Sequence, residues 1–527
     1  MSVFFILVSY LRAMLFPFPI YLTMILGGIA TFLGVKYLGE EIRGSGISHY
    51  IAARHGHKEF TIKGGVTKFV TSSVVLGSGC IAGAEGPAMY VGGTIATYMS
   101  KNRLKTKESA SAIITLGGAA ATAALFQAPL GSTIFAAEIP YRHDMDAPAY
   151  TPSFLSAIIG FFTFRYITRF ILGETPRLVI LHLEEYSETL EGLLFAVIVG
   201  LAAGLVGLVF VNVFWFCREF SEQYIEKSVS PIVGTVLTGI VVFLIFFMLP
   251  EEPAFDWTGF NLLNILDQQP EFSIVVFSLL IIATILGTSL TIGFGVSGGV
   301  FAPALVVGGG VGGIIGLLLD PMNVSSYIVL GMSASHTATT KTPIASLVLV
   351  IEITGFPTTF LAPIAIANVV AYFVSGDRSL YTGQYEDRTE VFLEEIGEHE
   401  LLDHYTVRDI MTRNIFFVKS SNPIAVAKQL IIETGKHTIP VINSEGKVIG
   451  IVTPESLQNA PDDAIVTDFL ASPFHTIDSS ITLRALLDFF LRIEEERVIV
   501  VDNEKRLLGI VTLRDVIRTT RKAVVLA

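Results

Sequence analysis

The stretch Leu76-Gly-Ser-Gly-Cys-Ile-Ala-Gly-Ala-Glu-Gly-Pro-Ala-Met-Tyr-Val-Gly-Gly93 places one carboxylate, Glu85, among glycines in an apolar part of the chain. Because an ionised side chain in hydrocarbon is costly, we predict that Glu85 faces a pathway or a cavity. The glycines interrupt the preceding helix, and Pro87 suits the first turn of a new one. We therefore predict a helix that begins at Glu85 to Pro87, whose free N–H groups can bind an anion or the Glu85 carboxylate itself.

The composition predicts that this stretch belongs to a membrane protein. Of the 527 residues, 51% are hydrophobic and 16% are charged, and the mean hydropathy is +0.63, values outside the range of an ordinary soluble chain. The net charge of −12 comes largely from a polar tail after about residue 383, so nucleic-acid binding is not expected. Cys80 and Cys217 both lie in apolar segments, which argues against a disulfide framework and against a metal site.

Two further segments of the apolar part have a predicted role. Arg43-Gly-Ser-Gly-Ile-Ser48 can form another glycine-broken helix start with Ser45 as a hydroxyl donor, although Gly-Ser-Gly is more often a plain turn. The four basic residues between positions 101 and 107 predict a loop on the cytoplasmic side of the membrane.

The apolar part also contains an internal repeat. Three features recur in both halves at a nearly constant spacing: a Gly-x-(Glu/Phe)-x-Pro motif at 83–87 and 299–303, an (Ala/Thr)-Pro-(Leu/Ile) element at 128–130 and 342–344, and a glutamate nine residues after each of the latter prolines, Glu138 and Glu352. Paired halves with helices broken at matching positions indicate a transporter fold with a site near the membrane midplane. Close helix packing explains many of the glycines, but it does not explain Glu85.

These motifs resemble those of the CLC family of chloride channels and chloride/proton exchangers, and the resemblance covers most of residues 1 to 395. It implies a polytopic α-helical membrane protein with two inverted structural repeats and broken helices. It also implies that Glu85 is the gate, which occupies an anion site when ionised and leaves it when protonated. The residues that the resemblance assigns to chloride binding are Ser45, Gly86, Val300, Phe301 and Tyr381.

The chain departs from the family pattern near the gate and at the first helix. Ala84 stands where relatives usually have an arginine, and Ile139 stands where many exchangers have an inner proton-relay glutamate, since Glu138 aligns one residue earlier. Relatives usually have a longer first helix than Met1 to Arg12 can supply, so two alternatives stay open: the first helix is short, or the stated start is internal. Ser45 implies a preference for chloride over nitrate and fluoride. Exchanger and channel therefore both remain open, and we favour the exchanger because Glu85 is present.

The polar tail predicts a tandem α/β repeat. Val448-Ile-Gly-Ile-Val-Thr453 and Leu507-Leu-Gly-Ile-Val-Thr512 each follow a strand and a short turn, and a helical pattern precedes each hairpin. The repeat resembles a pair of CBS domains, which we place at residues 405–460 and 461–527 after a linker at 383–404. The apolar part, residues 1–382, has repeat halves at about 1–175 and 189–382.

The CBS resemblance implies an adenine nucleotide (ATP, ADP or AMP) in the cleft between the repeats. The second copy keeps the Thr and the Asp of the family's Gly-x-x-Thr-x-x-Asp pattern, whereas the first copy has Ser456 in place of the Asp. Two alternatives stay open: Asp515 only caps its own helix, or the pair only packs at a dimer interface. The residues predicted to bind nucleotide are His437, Thr438, Thr512, Arg514 and Asp515.

The sequence as a whole predicts chloride-selective transport across the cell membrane, with exchange for protons gated by Glu85 and modulated by a cytoplasmic CBS pair. The alternative is a gated chloride channel without proton coupling that acts mainly as a nucleotide- or ionic-strength sensor. No Ser/His/acid set, metal-ligand spacing or phosphate loop is found in the sequence, so we expect neither an enzyme nor a required cofactor. The expected partners are chloride, protons, the lipid bilayer and a second copy of the chain.

Overall fold

The computed structural model describes residues 1–101, 110–173, 190–248, 274–355, 358–388, 390–391, 401–458, 460–472, 474–493, 497–516 and 519. The chain divides into two compact units, Met1–Arg388 and Thr389–Ala527. Apart from Lys101, the predicted basic loop lies outside the described residues, and the predicted linker is described only in part.

The first unit is built from helices that surround a buried apolar core. Its described helices are α1 (Ser2–Leu15), α2 (Ile20–Leu38), α3 (Gly46–Arg54), α4 (Ile62–Gly77), α5 (Glu85–Met99), α6 (Ala110–Phe126), α7 (Pro129–Glu138), α8 (Tyr150–Leu172), α9 (Leu190–Tyr224), α10 (Ser230–Met248), α11 (Ile274–Thr291), α12 (Phe301–Leu319), α13 (Val324–Thr340), α14 (Pro343–Thr354) and α15 (Leu361–Val374). Five of them, α2, α8, α9, α11 and α12, are long and apolar enough to cross a membrane. The predicted helix start at Glu85 is confirmed.

The two halves of the first unit meet at matching residues. Gly83 pairs with its counterpart Gly299 in an antiparallel bridge, and the N–H of Gly83 donates to the carbonyl of Gly299 at 2.8 Å. Gly79 and its counterpart Gly295 both have a φ of +87°, a left-handed backbone that glycine adopts without steric cost. The repeat found in the sequence is therefore also present in the backbone, with the halves in opposite orientation where they touch.

Two matching glutamates hold the halves together near the ends of α7 and α14. Glu138, at the end of α7, accepts hydrogen bonds from the first amides of α14, those of Ile344 (3.2 Å) and Ala345 (2.7 Å). Glu352, within α14, accepts hydrogen bonds from the first amides of α7, those of Leu130 and Gly131, at the same two distances. Each carboxylate thus satisfies free N–H groups at the N-terminus of the other helix.

Glycines allow the helices of each half to pack closely. A Cβ atom at Gly92 in α5 would overlap the carbonyl of Gly117 in α6, and a Cβ atom at Gly308 in α12 would overlap that of Gly331 in α13. Because Gly92 matches Gly308 and Gly117 matches Gly331 in the repeat, both halves use the same small-residue contact. The packing role expected for many of the glycines is confirmed at these positions.

The second unit consists of two α/β repeats. Each has a three-stranded sheet in which the middle strand pairs in parallel with the first strand and antiparallel with the third. Val448, Ile499 and Val501 form an apolar cluster between the two sheets. The predicted hairpins and the helices before them are confirmed: the elements are α16 (Leu401–His404), α17 (Val407–Ile410), β1 (Val418–Lys419), α18 (Ile424–Thr434), β2 (Ile439–Ile442), β3 (Val448–Val452), β4 (Thr476–Asp478), α19 (Leu483–Ile493), β5 (Arg497–Val501) and β6 (Leu507–Thr512).

Candidate functional site

Three helix starts meet in the interior of the first unit. Ser45 pairs with Gly298 in a parallel bridge, next to the antiparallel pair of Gly83 and Gly299. Helices α3, α5 and α12 begin directly after these loops. The segments that the sequence singles out at 44–47, 83–87 and 299–303 are therefore neighbours, and they bring three helix N-termini into one region.

The Glu85 carboxylate lies against the N-terminus of α12. The side chain is fully buried, and its Oε1 accepts a hydrogen bond from the Phe301 N–H at 2.8 Å. The N–H groups of Val300 and Ala302 also interact with the carboxylate, whereas Oε2 has no hydrogen-bond partner among the described residues. Because the free N–H groups of a helix start bind anions, the carboxylate occupies a place that suits an anion.

The glycines around Glu85 make room for its side chain and for the approach of the loops. A Cβ atom at Gly83 or Gly299 would overlap the carboxylate. A Cβ atom at Gly86 would lie 2.7 Å from the Gly298 carbonyl oxygen and 2.9 Å from the Gly46 nitrogen. Gly86, predicted to bind the anion, therefore also permits backbone contact between all three loops.

Two hydroxyl groups predicted to bind the anion have protons that no described residue accepts. Tyr381 is 4% exposed, and its hydroxyl has no hydrogen-bond partner in the described part of the chain. The charge of Glu85 acts on this hydroxyl. The Ser45 oxygen caps α3 by accepting the Ile47 N–H at 3.3 Å, which leaves the Ser45 proton able to donate. Both hydroxyl groups can therefore donate to an anion.

A cavity of about 290 Å³ opens beside Tyr381. It carries charged side chains of both signs and polar groups, so it can admit water and ions. The lining residues are Arg142, Trp215, Glu219, Asp377, Arg378, Ser379, Tyr381, Gly383 and Gln384.

Lys68 in α4 is a site residue that the sequence analysis missed. It is fully buried, and its Nζ donates to the carbonyl oxygens of Ile42 (2.8 Å) and Gly44 (2.6 Å). These bonds fix the loop before Ser45 and place an amino group beside it. A lysine within an apolar helix was the available signal, since such residues are costly in a membrane.

Comparison with known proteins identifies the family. The family described as voltage gated chloride channel matches residues 27–376, and the CBS domain matches residues 407–462 and 466–521. The chain belongs to the CLC family. The resemblance seen in the sequence is thus confirmed. So is the CBS pair that follows the first unit, Met1–Arg388, which we call the membrane unit.

Relatives of this CLC protein include proteins named as exchangers and proteins named as channels. An uncharacterized protein of Methanocaldococcus jannaschii is 30% identical over 334 residues, which are 63% of this chain and 80% of that protein. The H(+)/Cl(-) exchange transporter ClcA of Vibrio campbellii is 27% identical and covers 64% of this chain and 73% of its own length. The voltage-gated ClC-type chloride channel ClcB of Salmonella dublin is 29% identical, with coverages of 68% and 84%.

Solved structures confirm the CLC fold. A eukaryotic CLC transporter aligns with a TM-score of 0.58 at 19% identity and covers 97% of this chain and 94% of its own. A CLC-type fluoride/proton antiporter aligns with a TM-score of 0.62 at 22% identity, over 73% of this chain and 93% of its own. The predicted class, an α-helical membrane protein with inverted repeats followed by an α/β CBS pair, is therefore confirmed.

The position of the inner glutamate of many CLC exchangers holds a buried apolar side chain in this CLC protein. Ile139 directly follows α7 and is fully buried, and its carbonyl oxygen accepts the Gln384 Nε2 at 2.8 Å. The neighbouring Glu138 is bound to the amides of α14. Neither residue gives the membrane unit a free carboxylate at this position.

The predicted nucleotide-binding residues of the CBS pair do not all lie together. A cavity of about 420 Å³ is lined by Thr438 and by the first-repeat Thr453, together with residues of the second repeat. Its complete described lining is Thr438, Ile451, Thr453, Ala471, Phe474, His475, Arg497, Val498, Ile499 and Ile510. His437 and Arg514 are exposed, and neither is part of this lining.

Thr512 and Asp515 bind each other at the end of β6. The Asp515 carboxylate accepts hydrogen bonds from the Thr512 N–H (3.0 Å) and hydroxyl (2.8 Å), and the Thr512 Oγ accepts the Asp515 N–H (3.2 Å). Thr453 and Ser456 form the same box in the first repeat. In the second repeat, where residues 513–516 are helical, this geometry is that of a helix cap, and nucleotide binding by Asp515 stays a prediction.

Proposed function

We propose that this CLC protein transports chloride through the site between α3, α5 and α12. The observation that carries the proposal is the Glu85 carboxylate against the N-terminus of α12, because a site that holds a carboxylate through backbone N–H groups also suits a small anion. The Ser45 and Tyr381 hydroxyl groups complete a set of neutral donors. Such donors replace the water around chloride without a full positive charge, so the ion can also leave.

We further propose that Glu85 couples chloride to protons. A protonated Glu85 no longer competes for the α12 N-terminus, so chloride can take its place, and an ionised Glu85 returns and expels the ion. One proton is thereby taken up or released each time the occupant changes. The names of the ClcA relatives agree with exchange, and the buried Oε2 without a described partner agrees with a side chain that can leave its position.

The test is simultaneous measurement of chloride and proton movement in liposomes that contain the purified protein. In an exchanger, chloride efflux down its gradient drives protons inward even without a proton gradient, in a fixed ratio to chloride. Chloride flux without proton movement would support the alternative function, a gated channel. Ile139 and the ClcB relatives, which are named as channels, favour that alternative.

The CBS pair is proposed to modulate transport by binding an adenine nucleotide. Thr438 supports this, since it lines a cavity between the repeats that has apolar walls suited to a base and Arg497 suited to a phosphate. We expect ATP, ADP or AMP to change the chloride flux of the full-length protein when added on the side of the CBS pair. Flux that is unaffected by all three nucleotides would leave the pair as a packing module.

We also propose that the protein resides in the cell membrane as a homodimer and that its CBS domains are cytoplasmic. Several helices of the membrane unit expose apolar side chains, including Phe154 and Leu155 on α8, and lipid or a second copy can cover them. Cross-linking in native membranes tests for the dimer, and protease access to the tail in inside-out vesicles tests its side.

A further inference from the structure

His336 is a buried histidine beside the Glu85 site. It lies in α13, it is fully buried, and its ring centroid is 4.1 Å from that of Phe301. Its Nδ1 lies 2.6 Å from the Ser346 Oγ. Because the Ser346 hydroxyl donates its own proton to the Thr342 carbonyl oxygen, Nδ1 must be the donor, and Nε2 then carries a free lone pair.

Two buried atoms without a partner therefore border Phe301 from different sides. The Phe301 N–H binds Glu85 Oε1, and the Phe301 ring packs against the His336 imidazole. Glu85 Oε2 and His336 Nε2 have no hydrogen-bond partner among the described residues. Buried polar atoms are nearly always paired, so an unpaired carboxylate oxygen and an unpaired imidazole nitrogen around one residue need an explanation.

Polar groups lie between His336 and the cavity beside Tyr381. Beyond Ser346 and Thr342, the Thr342 hydroxyl lies 2.7 Å from that of Thr340. The Thr340 carbonyl oxygen accepts the Gln384 Nε2 at 2.9 Å, and Gln384 lines the cavity. Carbonyl oxygens and the Gln384 amide cannot relay a proton, so these groups are not a continuous relay but a polar surface along which water from the cavity can reach Ser346.

The position of His336 differs between the two halves. Its counterpart in the first half is Thr122, whose hydroxyl only bonds to carbonyl oxygens of its own helix. Charged groups near α13 are bound elsewhere: Lys341 donates to Ser375, and Glu138 and Glu352 bind helix amides.

We propose that His336 carries protons between Glu85 and this cavity, a task for which other exchangers have a glutamate at the position of Ile139. The proposal rests on the proposed exchange function. The protonated Glu85 carboxyl gives its proton to Nε2 through water beside Phe301 and becomes a carboxylate. The imidazolium then gives its Nδ1 proton to the Ser346 oxygen, while the Ser346 hydroxyl turns away from the Thr342 carbonyl and gives its own proton to water that enters from the cavity. Neutral imidazole remains in the opposite tautomer, and rotation of the ring or transfer in the other direction resets it.

His336→Asn tests the proposal in the full-length protein in liposomes. Asparagine can keep a donor near the Ser346 oxygen but cannot accept and release a proton. We expect chloride flux to persist while proton flux per chloride falls at least about tenfold, in line with the effect of removing a positioned proton-transfer group. The matched control is His49→Asn, since His49 is also buried with an unpaired Nδ1 but contacts Phe60 and Tyr90.

The outcomes separate this proposal from the exchange function itself. A native protein that moves chloride without protons would overturn both. Native coupling that survives unchanged in His336→Asn would overturn the role of His336 alone and leave a structural role. If His336→Asn does not insert into liposomes, Ser346→Ala decides in the same way: selective loss of proton flux supports the route, and an unchanged proton-to-chloride ratio overturns it.

Discussion

The membrane unit contains two kinds of glutamate: one pair occupies matching positions of the two halves, whereas Glu85 has no glutamate at its matching position. Glu138 and Glu352 are counterparts, and each accepts two amide hydrogen bonds from the other half. Glu85 has Phe301 as its counterpart, and its carboxylate accepts the N–H of that residue. Glu138 and Glu352 therefore have the same residue type and the same contacts in both halves, whereas Glu85 and Phe301 differ in both.

This difference separates structural carboxylates from a functional one. Glu138 and Glu352 have amide partners for both oxygens, so these side chains stabilise the contact between α7 and α14. Glu85 has one oxygen without a described partner, and an anion can replace it at the α12 N-terminus. We therefore expect substitutions of Glu138 or Glu352 to lower stability, and substitutions of Glu85 to change transport.

The largest expected effect is that of Glu85→Gln, a neutral and nearly isosteric change. Glutamine cannot release or take up a proton, so chloride flux should persist or rise while proton coupling and the pH dependence of flux are lost. Paired chloride and proton recordings in liposomes between acidic and neutral pH measure both. Unchanged pH dependence of the chloride flux would show that Glu85 is not the gate.

The control for this variant is Glu138→Gln, which places the same change at a symmetric position. Because Glu138 is bound to fixed amides, we expect its variant to keep the native proton-to-chloride ratio. Loss of proton coupling in both Glu85→Gln and Glu138→Gln would show that coupling does not depend on Glu85 in particular.

The symmetric pair should instead affect stability. Glu138→Ala and Glu352→Ala each remove two hydrogen bonds to a charged group, and we expect the free energy of unfolding to fall by about 2 kcal/mol in each case. The loss should be greater for Glu138, which is buried, than for Glu352, which is half-buried. Thermal unfolding of the purified variants measures this, and two variants as stable as the native protein would show that the reciprocal caps do not hold the halves together.

The sequence alone identifies Glu85 as a site residue, but it does not predict the hydrogen bonds of Glu138 and Glu352. Glu85 is conspicuous as a lone acid among glycines, and the glycine-containing motifs at 44–47, 83–87 and 299–303 coincide with three helix starts. The bonds from Glu138 to α14 and from Lys68 to Gly44 join residues far apart in the chain. No local pattern encodes such contacts, so only the fold reveals them.

The tail shows the same limit of sequence reasoning. The pattern Gly-x-x-Thr-x-x-Asp points to the second repeat, whereas the described cavity reaches the first-repeat Thr453. The shape of a cleft between two repeats depends on how their sheets pack, through residues such as Val448 and Ile499. A motif within one repeat therefore predicts which residues can bind a ligand but not where the space lies.

A smaller effect is expected at Ser45, whose loop lies next to the loops that carry Glu85 and Phe301. Its φ of −72° suits proline, so Ser45→Pro should fold while it removes one hydroxyl donor. A lost hydrogen bond of about 1 kcal/mol corresponds to about a fivefold shift in the chloride-to-nitrate preference, toward nitrate. Flux ratios in liposomes measure the shift, and Ser45→Ala separates loss of the hydroxyl from the effect of the proline ring. An unchanged ratio in both variants would exclude Ser45 from selectivity.

The smallest expected effect concerns the tail, where Thr453 with Ser456 and Thr512 with Asp515 form matching hydrogen-bonded pairs. Asp515→Ala and Ser456→Ala should each lower the stability of the CBS pair by about 1 kcal/mol, because each removes a side chain that hydrogen-bonds to the backbone at the end of the third strand of its sheet. If Asp515 also binds a ribose, Asp515→Ala alone should weaken the binding of ATP, ADP or AMP to the full-length protein, by at least about tenfold, the equivalent of one charge-assisted hydrogen bond. Calorimetric titration of the two variants against the native protein distinguishes these roles: equal nucleotide affinities would show that Asp515 and Ser456 have the same structural role and that Asp515 does not bind a ribose.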